Sequence, residues 1–73
     1  MKIHIEYCVK WNYGPEFERV SNIIKGLHPQ TEIKGNEESP RTGAFEVTVN
    51  GVLQYSKFST GKFPEKIEIE MWF

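Results

Sequence analysis

The chain has 73 residues, 38% hydrophobic, 14% aromatic and 26% charged, which fits one small globular domain and leaves no room for a second. Nine Lys and Arg against ten Glu give a formal charge of -1, so no net electrostatic pull toward nucleic acid or an anionic membrane exists, and neither is expected as a partner. No run approaches the ~20 apolar residues of a membrane span, and MKIHIEYCVK lacks the apolar stretch of a signal peptide, so a soluble, cytoplasmic protein is expected.

Lys2 to Tyr7 alternates, with Ile3, Ile5 and Tyr7 on one side and His4 and Glu6 on the other, and predicts a first strand. Gly14-Pro15 opens a helix: Pro suits the first turn, Glu16 and Glu18 suit its positive end, and Lys25 suits its negative end. Phe17, Val20, Ile24 and Leu27 form one stripe, expected against a sheet, before Gly26 and Pro29 close the helix. Gln30 to Lys34 predicts a short strand, and Gly35 to Gly43 a mobile loop. Ala44 to Val49 and Val52 to Lys57 are alternating runs joined by Asn50-Gly51, the dipeptide of a tight hairpin turn. Glu65 to Phe73 reads two ways: alternation of Ile67, Ile69 and Met71 fits a strand, while Ile69, Trp72 and Phe73 fit a short helix begun by Pro64. The order predicts an α/β domain: a four-stranded mixed sheet with a strand-helix-strand unit, a hairpin and a short terminal element, the helix on one face.

Chemistry-bearing residues are few. All ten carboxylates are Glu, which excludes a site built on Asp ligands or an Asp-oriented histidine, and no GxSxG turn is present. Gly61-Lys62 would need a glycine at position 56 to make a phosphate loop, and Ser56 stands there. With His4 and His28 far apart and Cys8 the one cysteine, no zinc set and no intrachain disulfide can form; no metal and no tightly bound cofactor is expected. The glutamates are spaced as a solvated surface would place them. Cys8 remains, at the end of the first strand and before a helix N-terminus; it is either an activated thiol or a small buried hydrophobe. Trp11, in the same loop, is either a lid packed on it or part of a partner-binding patch with Phe58 and Phe63.

The string Ile5-Glu6-Tyr7-Cys8, then Tyr13, Thr42-Gly43-Ala44-Phe45-Glu46-Val47, Val49-Asn50-Gly51, Ser56-Lys57, Gly61 and Phe63-Pro64 resembles the selenoprotein W-like (Rdx) family, over Ile3 to about Pro64. The resemblance implies a thioredoxin-like βαβββα fold and a Cys-x-x-Cys or Cys-x-x-selenocysteine motif after the first strand. It further implies glutathione-linked thiol chemistry and, in some members, a 14-3-3-type protein partner. On that pattern Cys8 matches the first redox residue, and Trp11 stands at the motif position of the lost second one. The selenocysteine codon UGA is one base from the tryptophan codon UGG, so Trp11 is a candidate record of a replaced selenocysteine. Without a resolving thiol, one-thiol exchange with glutathione is the chemistry left at Cys8. The alternative is a non-catalytic interaction module that uses the Cys8 to Trp11 loop as an apolar surface. The expected assembly is a monomer or a weak dimer through an open sheet edge.

Overall fold

The computed structural model describes residues 1–73. In chain order its elements are β1 (Lys2–Tyr7), α1 (Gly14–Leu27), β2 (Glu32–Gly35), β3 (Phe45–Val49), β4 (Val52–Ser56), α2 (Lys57–Thr60) and α3 (Lys66–Glu70). The strands form one mixed sheet in the order β2-β1-β3-β4. β1 runs parallel to β2, from Lys2 beside Glu32 to Ile5 beside Gly35, and antiparallel to β3, from Ile3 beside Val49 to Tyr7 beside Phe45. Parallel pairing of β1 and β2 requires a crossover, and α1 supplies it.

Alternation along the strands decides which side is covered. Ile3, Ile5, Phe45, Val47, Val49 and Tyr55 join Val20 and Ile24 of α1 and Ile69 of α3 in one apolar cluster. Tyr7 stacks on Phe17 with ring centroids 4.5 Å apart, fixing the first turn of α1 against the end of β1. Leu27, the last residue of the expected stripe, instead lies exposed. The helix is ending there, with the His28 N–H bonded back to the Ile24 carbonyl at 2.7 Å, so Leu27 has run past the sheet. The opposite face carries Glu6 and Glu46 side by side across β1 and β3, a like-charge pair that needs a cation. Arg41 supplies it, with Nη2 2.8 Å from Glu6 Oε1 and 3.9 Å from Glu46 Oε1.

The segment expected to be mobile is tied down. The Asn36 side chain accepts from the Tyr7 N–H at 2.8 Å and donates to the Tyr7 carbonyl at 2.9 Å, and the Arg41 N–H donates to Glu6 at 2.8 Å. The hairpin turn is as expected, with Asn50 at φ 50° and Gly51 at φ 83°. β4 is shorter than its apolar run suggested. Gln54 bulges out of the ladder, Ser56 caps a helical turn by accepting from the Ser59 N–H, and Gly61 ends that turn in the left-handed region.

The terminal segment resolves to the helical alternative. Ile69 is fully buried while Ile67 and Met71 are 65% and 79% exposed, an outcome that strand alternation forbids. Glu68 fixes the start by accepting from the Glu65 N–H at 2.9 Å, and Arg19 Nη2 of α1 holds the Pro64 carbonyl at 2.7 Å.

Candidate functional site

Cys8 follows β1 directly and extends its ladder by one bond, its N–H donating to the Ala44 carbonyl at 2.9 Å. The chain then turns sharply. The Asn12 N–H bonds to the Val9 carbonyl at 3.0 Å, Asn12 takes φ 60°, and the Tyr13 N–H returns to the Cys8 carbonyl at 2.9 Å, immediately before α1. Asparagine tolerates this left-handed geometry better than most residues, which is why the turn can be this short. Inside it, the Trp11 N–H points at the Cys8 Sγ, 3.3 Å away. The sulfur's donor is therefore a loop amide, not a helix amide, and no imidazole or second thiol accompanies it.

The two positions of the motif have opposite exposure. Cys8 is 1% exposed and Trp11 56% exposed. The indole crosses to the segment entering β3, where a side chain placed on Gly43 would meet the Trp11 ring at 2.8 Å. Gly43 itself sits at φ 79°, so both its backbone and its missing side chain accommodate the ring. One side of the Trp11 ring is thus seated on Gly43 while over half of the residue faces solvent.

Phe58 and Phe63 do not join it as one apolar surface. Phe63 is half-buried, edge-on to Tyr13 at 4.7 Å and to Phe45 at 5.3 Å, so it lines the core beneath the loop. Phe58 is exposed, with the Arg41 guanidinium 5.0 Å above its ring. The Lys57 ammonium, which spacing alone did not mark, lies 5.5 Å from the Tyr13 ring and 5.3 Å from that of Phe63. Glu46 was also missed: it is buried, its carboxylate accepting from Ser56 Oγ at 2.6 Å and from the Lys57 N–H at 2.8 Å. Its place opposite Glu6, beside a Ser56-Lys57 corner, was the available signal. The Glu6 carboxyl is held below its ordinary value chiefly by the side-chain hydrogen bonds of Arg41, against the opposing effect of burial.

No three His, Cys, Asp or Glu side chains gather to hold a metal ion, and no helix is long and apolar enough to cross a membrane. Among solved structures, a selenoprotein W-related protein from Vibrio cholerae superposes with a TM-score of 0.83 at 25% identity, covering 96% of this chain and 88% of that one. A protein of Bordetella parapertussis, 20% identical, shares the fold with a TM-score of 0.80 over 96% of this chain and 89% of that one. The sheet and helices are thus the thioredoxin-like α/β arrangement of selenoprotein W-like proteins.

In sequence the chain is 35% identical over 71 residues to Migration and invasion enhancer 1 of Bos taurus, covering 96% of this chain and 60% of that protein. To Selenoprotein W of Danio rerio it is 36% identical over 58 residues, 78% of this chain and 67% of that one. It therefore spans about three fifths to two thirds of the length of these curated relatives. The family model described as Rdx family matches residues 2–71, nearly the whole chain, and the chain belongs to the Rdx family.

Proposed function

We propose that this Rdx-family domain is a one-thiol redox protein, with Cys8 as its reactive group and glutathione as its thiol partner, working in the reducing cytoplasm. The observation that carries the proposal is the Trp11 N–H aimed at Cys8 Sγ, a preformed donor of the kind a thiolate accepts. In the reaction, the Cys8 thiolate attacks the glutathione sulfur of a mixed disulfide. A bond from Cys8 to glutathione forms, the original disulfide breaks, and the other thiol leaves as a thiolate that takes up a proton from water. Reduced glutathione then attacks the adduct, regenerating Cys8 and leaving as oxidised glutathione.

Burial of Cys8 adds a step. Cys8 is buried in the resting structure, so attack requires a local opening, which we assign to the Val9 to Asn12 turn, and the observed rate is the intrinsic rate multiplied by the open fraction. All four residues of that turn are exposed, and the contact its opening gives up is the seat of the Trp11 ring on Gly43.

The test is turnover. A glutathionylated peptide, reduced glutathione, glutathione reductase and NADPH report release of glutathione as loss of NADPH absorbance. The proposal expects catalysis by the parent and none by Cys8→Ser.

A second reading draws on the same exposures. A closed thiol beside an open tryptophan suits a protein-interaction module, with a 14-3-3-type protein as the partner the family resemblance offers. In that case the parent and Cys8→Ser are equally inert in turnover, and Trp11→Ala weakens partner binding.

A further inference from the structure

We infer that Lys57 is the specificity residue of the proposed thiol site, drawing anionic disulfides of the glutathione type to Cys8; this deepens the one-thiol reading above and rests on it. Three independent features place it there. First, the ladder ends with Glu46 beside Ser56 and Tyr7 beside Phe45, so Lys57, the residue after Ser56, begins α2 at the same end of the sheet as Cys8, with β4 two strand spacings from β1. That offset is roughly 10 Å between backbones, a gap that the Lys57 side chain and the half-length of a tripeptide, from its middle-residue sulfur to a terminal carboxylate, together span.

Second, the ammonium is positioned without being neutralised. It lies over the faces of Tyr13 and Phe63, and no carboxylate is within ion-pair distance of it. Glu46, the carboxylate nearest in sequence register, is committed to Ser56 Oγ and to the Lys57 backbone N–H. Arg41, the other cation at this end, is held by both oxygens of Glu6. Lys57 therefore keeps its charge available to a ligand carboxylate.

Third, one chain of ring contacts links the Cys8 loop to the rings beneath the ammonium. Trp11 meets Tyr13 edge-on at 6.3 Å, Tyr13 meets Phe63 at 4.7 Å, and the Tyr13 N–H is bonded to the Cys8 carbonyl. A peptide resting on the exposed Trp11 ring, with its sulfur at the opened loop, has a terminal carboxylate on the side of Tyr13 and the ammonium.

The experiment measures second-order rates of Cys8 adduct formation by intact mass for the full chain, with oxidised glutathione and with uncharged hydroxyethyl disulfide as probes. Lys57→Gln is expected to slow the reaction with oxidised glutathione by about threefold, the effect of one half-exposed charge contact, and to leave the uncharged probe unchanged. Lys57→Arg is expected to restore the preference. Lys10→Gln removes an equal charge from the loop and is expected to have a smaller effect. Equal slowing with both probes would make Lys57 a structural prop for Tyr13 and Phe63 and overturn the inference. An equal effect of Lys10→Gln would reduce it to net charge and overturn it too. If the folded parent reacts with neither probe, the one-thiol reading falls and takes this inference with it. If the parent reacts and Lys57→Gln keeps its preference for oxidised glutathione, only this inference falls.

Discussion

Between Cys8 and Trp11 the loop offers one thiol, buried, and one exposed indole. The Trp11 amide already turns back onto the Cys8 sulfur, so a short side chain at position 11 starts beside it. Trp11→Cys is therefore expected to oxidise to an internal disulfide and to reduce a model disulfide faster than the parent, because the new thiol displaces the adduct intramolecularly. Losing the indole from its seat on Gly43 works against this, at about 1–3 kcal/mol of stability. Reductase rate and thermal stability measured together separate the two effects. A folded variant that closes no disulfide would mean that the loop does not hold redox geometry.

Among the elements, the β3-β4 hairpin and α3 make opposite demands on the sequence. Asn50-Gly51 encodes its turn locally, and nothing lies within 4 Å of where a side chain on Gly51 would point. The whole cost of Gly51→Val is thus the φ of 83°, about 1–3 kcal/mol, or a fall in Tm of roughly 4–8 °C per kcal/mol. An unchanged Tm would contradict the turn assignment. In α3 the alternation served strand and helix alike, and the Glu65-Glu68 cap together with burial of Ile69 in the core chose the helix. Burial of Ile69 alone makes Ile69→Ala expensive, about 2–5 kcal/mol, and Ile67→Ala cheap, within about 0.5 kcal/mol. Equal losses in denaturant unfolding would restore the strand.

The same contrast explains what could be seen in advance. β1, α1 and the hairpin follow from alternation, helix-end residues and turn chemistry, all of which act over a few neighbours. Cys8 was visible as the one thiol, but its loop is held by Ala44, which accepts the Cys8 N–H, and by Gly43, which seats Trp11, residues more than 30 positions further along the chain. Lys57 read as the last residue of a strand, and its place over Tyr13 and Phe63 exists only because β4 stops at Ser56 and folds into α2.

Across the whole molecule, Arg41 is the tie between layers that hydrophobic packing does not join. It links the 35–43 loop to β1 through Glu6, approaches Glu46 of β3, and covers Phe58 of α2. Because Glu6 titrates below its ordinary 4.5 when folded, this tie stabilises the fold above that pH and is lost as pH falls through the lowered folded value. Arg41→Gln should return Glu6 toward its ordinary range in an NMR titration and lower stability near neutrality, with the gap to the parent closing in acid. A Glu6 titration that does not move would mean that Arg41 is not its partner in solution.

The most direct test of the central claim, a reactive Cys8 in a retained redox loop, is the intact mass of the folded protein during incubation with oxidised glutathione, beside the same incubation in denaturant. The expected result is one glutathione added to Cys8 in both, more slowly in the folded protein because the turn must open first. Full modification in denaturant with no adduct on the folded protein would contradict it.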